Sequence, residues 1–210
     1  MKRSIAKGKI VIISSPSGGG KTTISNRLIA INHAWRFSIS YTTRTIRKGE
    51  TDGIEYVFVS QEKFALLKKK RFFAETACVH GHYYGTPRKP LDNTIKAGGV
   101  ILLDIDVQGA ASIKKEYPDA LALFILPPSK TELKRRLKRR GTETKAQLAL
   151  RLTNAIKEIE QYPRFDYVIV NKDINEAVTA ADHMIKSWTV GVTFFGRNKK
   201  INGRLLERYR

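Results

Sequence analysis

The chain has 210 residues, so a single domain with or without inserted subdomains is the first expectation. At 41% hydrophobic and 28% charged it has material for a buried core and the make-up of a soluble globular protein, which excludes disordered and fibrous classes. The net charge of +20 favours anionic partners such as nucleic acid or phosphorylated metabolites, although a generally basic surface accounts for part of the excess.

The first apolar run, residues 10–13, reads as a strand buried on both faces. It leads into Ser15-Pro16-Ser17-Gly18-Gly19-Gly20-Lys21-Thr22-Thr23, and a helical pattern follows over 22–30. Strand, glycine-rich loop with Gly-Lys-Thr, then helix is the setting of a phosphate-binding loop. The glycines let successive backbone N–H groups converge on phosphate oxygens, and the helix N-terminus adds positive potential. Lys21 supplies a full charge to the β- and γ-phosphates of a nucleotide, and Thr22 supplies a hydroxyl for Mg²⁺. Ser15 stands where that pattern has its first glycine.

Residues 37–86 interrupt the alternation with β-rich signals at 37–40, 55–59 and 72–79 around a helical stretch near 62–70, and read as a small inserted subdomain. A second buried strand over 100–103 ends in Asp104-Ile105-Asp106. Two residues apart, these carboxylates share a face if the strand persists. Carboxyl ends of strands form the ligand crevice of open α/β sheets, so Asp104 is a candidate for Mg²⁺, directly or through water, or for a substrate donor. Asp106 is divided between such a role and the N-cap of a helix over 107–115.

A further strand over 121–126 precedes a helical hairpin. Its helices, 129–139 and 144–159, each open on a capping box, Ser129 to Glu132 and Thr144 to Gln147, with Gly141 between them. The second carries an apolar stripe at Leu148, Leu152, Ala155, Ile156 and Ile159. A basic hairpin beside a nucleotide site suits a lid. A strand over 168–170, a helix over 174–189 and a basic tail over 197–210 complete the chain, the tail reading as a solvated terminus. Strands alternating with helices define an α/β fold.

Ser40-Tyr41-Thr42-Thr43-Arg44-Thr45-Ile46-Arg47-Lys48-Gly49-Glu50, Gly53-Ile54-Glu55-Tyr56, Phe73-Ala74-Glu75 and Gly81-His82-Tyr83-Tyr84-Gly85-Thr86 follow the phosphate loop in order. Here the chain closely resembles the guanylate kinase family, from that loop to Ile169-Val170-Asn171. The resemblance implies a P-loop NTPase-type parallel sheet flanked by helices, with an inserted β-rich monophosphate-binding subdomain and a helical lid. It divides one domain into a core (1–36, 87–126 and 163–196), a GMP-binding insert (37–86), a lid (127–162) and the tail. It implies transfer of the γ-phosphoryl of ATP to GMP, with dGMP an expected second acceptor and Mg²⁺ as cofactor. Residues 15–23 and Asn171 would hold ATP, with Asn171 near the adenine or its ribose. Arg44 and Arg47 would grip the GMP phosphate with Tyr56 and Tyr84. Glu75, Ser40 and Thr86 would face the guanine, and Asp104 and Asp106 would lie between acceptor and metal. Arg136, Arg140 and Arg151 would reach the transferring phosphates.

The chemistry agrees independently. A carboxylate accepts from both the N1–H and the amino group of guanine, while a hydroxyl donates to O6. Adenine lacks the 2-amino donor and carries an acceptor at N1, leaving a buried carboxylate unsatisfied. The single cysteine, Cys78, excludes an intrachain disulfide and fits a reducing compartment. Four histidines, His80 and His82 among them, offer no credible zinc site. No apolar stretch approaches the roughly 20 residues of a membrane-spanning helix, so a cytoplasmic location and no membrane partner are expected. No specific nucleic-acid partner is expected, and a homo-oligomer is left open. Two other readings are a protein-binding scaffold, from which the intact Gly20-Lys21-Thr22 argues away, and an ATPase acting on nucleic acid.

Overall fold

The computed structural model describes residues 8–79, 81–138, 145–192 and 209. In chain order the elements are β1 (Lys9–Ser14), α1 (Lys21–Ile31), β2 (Arg36–Phe37), β3 (Ser40–Thr42), β4 (Tyr56–Phe58), α2 (Gln61–Lys69), β5 (Phe73–Val79) and β6 (His82–Pro87). They continue with α3 (Arg88–Lys96), β7 (Val100–Asp104), α4 (Val107–Glu116), β8 (Leu121–Leu126), α5 (Lys130–Lys138), α6 (Lys145–Ile159), β9 (Tyr167–Val170) and α7 (Ile174–Thr189). One sheet has the strand order β2-β7-β1-β8-β9 and the other β4-β3-β6-β5. The chain divides into two compact units. The first comprises the described residues up to Val11, His33–Leu103 and Gln108–Ala120; the second comprises Ile12–Asn32, Asp104–Val107 and the described residues from Leu121 onward.

In the first unit β2 and β7 pair in parallel, Arg36 opposite Ile101 and Phe37 opposite Leu102. The four-stranded sheet is built on the β5–β6 hairpin, closed at Gly81 with φ +80. Glu75 lies opposite Thr86 and Ala77 opposite Tyr84, with an irregularity between Phe73 and Glu75. Strand β6 pairs antiparallel with β3, which pairs in parallel with β4. The Ser60 hydroxyl caps α2 by accepting from the Lys63 N–H, and Lys68 and Lys69 fall in its last turn, where the dipole favours cations. The apolar face of this sheet is aromatic: Phe64 of α2 stacks on Phe73 at 4.7 Å and on Tyr83 at 5.6 Å. Gly85 is obligatory beneath that stack, because a Cβ there would lie 2.8 Å from the Phe73 ring.

In the second unit every residue of β8 is buried, as are Ile24 and Leu28 of α1 and Ala181 and Ile185 of α7. This is the continuous apolar pattern of a strand covered on both faces. Strands β8 and β9 pair in parallel from Leu123–Tyr167 to Leu126–Val170. Asp173 caps α7, its carboxylate accepting from the N–H groups of Asn175 and Glu176. Helix α1 packs on α7, and the pair carries a buried hydrogen bond from Asn32 to Asp182 at 2.8 Å. Helices α5 and α6 pack on each other.

Two local expectations meet a different outcome, and one helix was not expected. The Ser129 hydroxyl accepts from the Glu132 N–H, but the Glu132 side chain pairs with Arg135 and Arg136. The capping box is thus half made, because two guanidinium groups outcompete one backbone N–H for a carboxylate. Strand β7 ends at Asp104, so the premise that Asp104 and Asp106 share one strand face is not met. Helix α3, opening at Arg88 directly after β6, has no counterpart in the sequence reading. Thr144 and Gly141 lie outside the described residues, as do His80 and all of the tail except Tyr209. Tyr209 is buried and its hydroxyl donates to the Pro127 carbonyl.

Candidate active site

Two clusters gather the sequence-derived site residues, one in each unit. In the second unit the loop between β1 and α1 is shaped by Gly18 at φ +84 and Gly20 at φ +100, a region open to glycine. The Gly19 N–H donates to the Pro16 carbonyl at 2.8 Å, tightening the turn. Ser15 is buried and its hydroxyl donates to the same carbonyl at 2.9 Å. A Cβ on Gly19 would lie 2.7 Å from Ser15 Cβ. The serine in place of glycine is therefore accommodated by the glycine facing it. Gly20 takes the N-cap position of α1 with no side-chain cap, so the helix start presents its N–H groups with nothing intervening from the cap residue.

Lys21 in the first turn forms an ion pair with Asp104, whose side chain is only 5% exposed. Thr22 and Thr23 are exposed on the same turn. Asp106 is half-buried. Asn171, at the end of β9, is buried and donates to the Gly19 carbonyl at 3.1 Å. Arg136 donates to that carbonyl at 3.3 Å and to the Asn171 carbonyl at 3.0 Å, while Glu132 holds its Nε at 2.7 Å. Arg135 and Arg136 together draw the Glu132 carboxyl down to about 2. From α6, Arg151 donates to the Ser17 hydroxyl at 3.0 Å. The Ser17 N–H donates to Glu158 at 2.9 Å, and burial raises the Glu158 carboxyl above its ordinary value against the opposing pull of that N–H. Arg140 lies outside the described residues.

The first unit holds the other cluster. Arg44, 7% exposed, makes a two-pronged pair with Glu50 at 2.8 and 2.9 Å and donates to the Thr45 carbonyl at 2.6 Å. Its guanidinium lies 5.4 Å from the Tyr56 ring centroid and 5.5 Å from that of Phe58. Burial alone would lower the Arg44 pKa, but hydrogen bonds to Glu50 and Tyr84 outweigh it and the net shift is upward. Burial likewise pushes Glu50 up, and Arg44 and the Arg47 N–H reverse this to a net lowering. The Tyr56 and Tyr84 rings meet edge to face at 5.8 Å. Two residues along β6 from Tyr84, and so on the same face, Thr86 donates to Glu75 at 2.6 Å. Both members of this pair are buried, as is Ser40 on β3. The Arg47 side chain is exposed and joins the cluster through its backbone N–H to Glu50 at 2.8 Å.

The sequence reading gave no role to Glu50 or Glu158, and cast Glu132 only as a member of a capping box. Glu50 stands in the quoted run six residues after Arg44, and Glu158 follows Arg151 by seven, two helical turns along one face. Those two spacings are the signals that could have found Glu50 and Glu158.

Among the described residues no three His, Cys, Asp or Glu side chains converge as a metal cage. The available donors are oxygens, the Thr22 hydroxyl and the Asp104 carboxylate. Such a sparse oxygen set fits Mg²⁺, which keeps waters and takes most other ligands from substrate phosphates.

A lysine-bearing phosphate loop opening a helix of an α/β fold, with a separate arginine–tyrosine and carboxylate–hydroxyl cluster, defines a phosphotransferase of the nucleotide kinase class. Residues 7–188 match the family model described as guanylate kinase. The guanylate kinase of Syntrophotalea carbinolica is 47% identical over 178 residues, 85% of this chain and 83% of that protein. That of Neisseria gonorrhoeae is 45% identical over 181 residues, 86% and 88% of the two chains. The crystal structure of guanylate kinase from Anaplasma phagocytophilum superposes with a TM-score of 0.75 at 36% identity, covering 88% of this chain and 87% of its own. The chain belongs to the guanylate kinase family. Its fold is the P-loop NTPase-like α/β fold, a parallel sheet flanked by helices.

Proposed function

We propose that this chain transfers the γ-phosphoryl group of ATP to GMP, giving ADP and GDP, and accepts dGMP as well. The observation that carries the acceptor assignment is the buried Glu75–Thr86 pair on the same face of β6 as Tyr84, which touches Arg44. One end of that face suits a guanine edge and the other a phosphate. The family match and the intact loop lysine support the donor assignment.

In this reading the loop from Ser15 to Thr23 holds the ATP phosphates with its N–H groups and with Lys21. Asp104, seated against Lys21, exchanges that partner as the nucleotide binds. Thr22 and, through water, Asp104 would hold Mg²⁺, which would supply charge neutralisation at the phosphates. Arg44 and Arg47 hold the GMP phosphate with Tyr56 and Tyr84 while Glu75, Thr86 and Ser40 read the base. Arg136, Arg140 and Arg151 offset the charge that spreads over the transferring group. No protein nucleophile is needed, because an oxygen of the GMP phosphate attacks and the reaction rests on positioning and charge. Asp106 would lie between the acceptor and the metal, and Asn171 would lie on the ATP side, where its amide also supports the loop.

We assign residues 37–86 as the acceptor insert, 127–162 as the lid and 1–36, 87–126 and 163–196 as core. The product places the chain in purine nucleotide metabolism, and we infer a cytoplasmic location. No described helix is long and apolar enough to cross a membrane.

The test is a coupled ADP-release assay with Mg²⁺ and ATP, offering GMP, dGMP, AMP, CMP and UMP separately. Turnover confined to GMP and dGMP is expected. Binding of ATP with no GDP formed from GMP would overturn the assignment.

A further inference from the structure

One residue of the phosphate loop is gripped at two atoms by a single helix. Arg151 and Glu158 are seven residues apart on α6, which brings both to one face two turns apart. The Arg151 guanidinium donates to Ser17 Oγ at 3.0 Å, and Glu158 Oε2 accepts from the Ser17 N–H at 2.9 Å. The carboxylate stands where packing alone would not put it. Burial disfavours its charge, Asp106 lies near enough to repel it, and only the Ser17 N–H, Lys21 and Arg151 favour its ionised form. It also faces a loop whose chemistry is directed at anions. A carboxylate beside such a loop opposes phosphate binding in its ionised form, so its contribution must lie in geometry.

We propose that Glu158 is a positioning residue: by anchoring the Ser17 backbone it fixes the phosphate loop and presents the Ser17 hydroxyl as the resting place from which Arg151 engages a nucleotide phosphate. The proposal rests on the reading that residues 15–22 hold the ATP phosphates. Two consequences separate it from a merely structural role. The charge of Glu158 opposes ATP, so removing it while keeping an acceptor tightens ATP binding. The anchor supports turnover, so removing the acceptor lowers kcat even where ATP still binds.

The experiment compares Glu158→Gln and Glu158→Ala. The glutamine oxygen still accepts from the Ser17 N–H. Its KM for ATP should fall on the order of several-fold, the scale of one partly screened charge, with kcat nearly kept. Alanine should lower kcat by about tenfold to a hundredfold, the range of one charge-assisted hydrogen bond, and glutamine should rescue most of that loss. Amide hydrogen exchange at Ser17, read by NMR, supplies a measure besides turnover. The Ser17 amide should be protected in the wild type and in Glu158→Gln, and should exchange faster in Glu158→Ala.

Equal exchange at Ser17 in wild type and Glu158→Ala overturns the proposal. So do values of kcat and KM for ATP that stay at wild-type level in both variants. A fall in kcat for Glu158→Ala that glutamine does not rescue, accompanied by a matching loss of thermal stability, assigns Glu158 to packing instead and likewise overturns it. If the wild type forms no GDP, the functional reading fails on its own, while the exchange measurement still decides whether Glu158 anchors Ser17.

Discussion

Replacing Glu75 with glutamine exchanges one acceptor for one donor at a site where both partners are buried. The Glu75 carboxylate already takes the Thr86 hydroxyl proton at 2.6 Å. In the guanine reading its remaining acceptor capacity meets the N1–H and amino donors of the base. Glutamine can keep the Thr86 bond with its oxygen, which turns its NH2 toward two guanine donors. Alternatively it turns its oxygen to the guanine and donates to Thr86, which leaves one guanine donor unmatched. Either way a charge-assisted hydrogen bond, about 1.5–3 kcal/mol, is lost and a buried donor is left without an acceptor, about 1–3 kcal/mol more. Allowing for overlap between these terms, a loss of about 3–4 kcal/mol corresponds to a fall of roughly 150- to 1000-fold in kcat/KM for GMP. Adenine presents an acceptor at N1 beside a donor, which a carboxamide matches better than a carboxylate does. The value for AMP should therefore hold or rise. The assay is initial-rate ADP release with each acceptor in turn, reported as the ratio of the two kcat/KM values. A ratio unchanged from wild type would falsify the guanine assignment of Glu75. Where that unchanged ratio comes with an equal fall for both acceptors, the loss belongs to general damage of the hairpin.

Gly20→Ala places a side chain at φ +100 and a Cβ 2.5 Å from Asn171 Nδ2, so Asn171 must give up its bond to Gly19. The combined destabilisation is about 2–3 kcal/mol, a fall in Tm of roughly 5–10 °C; an unchanged melting curve contradicts the loop geometry. Lys21→Ala should remove about 2–4 kcal/mol of transition-state stabilisation, read as GDP formation at saturating ATP and GMP, and wild-type turnover in that variant refutes its role. Tyr117, half-buried and hydrogen-bonded to Asp92 at 3.1 Å, has its pKa raised from 10.0 to about 12, with desolvation the larger cause. The folded state then holds a proton that the unfolded chain has released, so this contribution is intact below pH 10 and drains away as the pH rises toward about 12. Absorbance titration of tyrosinate should show a late component that Tyr117→Phe removes; its persistence in that variant would assign the component elsewhere.

The phosphate loop was legible because its chemistry is local. Glycines at 18 and 20, a lysine at 21 and a buried strand at 10–13 need no knowledge of the rest of the chain, and the structure puts positive φ at both glycines. The strand over 121–126 was legible for a related reason, since a run apolar at every position has no solvent face to hide. Helix α3 was not. Arg88-Lys89-Pro90 opens it without an apolar repeat, and only Leu91 and Thr94 are buried. Proline is tolerated in a first turn, so what reads as a breaker sits inside the helix. Strand β6 was hidden by Gly85, whose place beneath Phe73 is a packing constraint that a strand propensity scale reads as a defect. Among site residues, basic and aromatic members were found because their types announce phosphate and base recognition. Asp104 and Glu75 were found too, but the glutamate partners Glu50, Glu132 and Glu158 were not, because a glutamate becomes a partner through tertiary placement, and nothing in Glu132 itself says that it serves two arginines.

The carboxylates beside these cations share a physical role. Lys21 is held by Asp104, Arg44 by Glu50 and Arg136 by Glu132. These three cations directed at phosphate thus each sit against a carboxylate within their own unit. A partly buried guanidinium with no counter-charge would carry the desolvation penalty of an isolated ion, and the surrounding loop would move or take up water to relieve it. The carboxylates let the cations be ordered beforehand, so that phosphate binding exchanges one anionic partner for another. The exchange lowers net affinity, since each ion pair must be opened, and it keeps the geometry, since no side chain has to be found and fixed at the moment of binding. Phosphoryl transfer gains from the second effect more than it suffers from the first, because its barrier yields to positioned charge and because tight ground-state binding adds nothing to kcat.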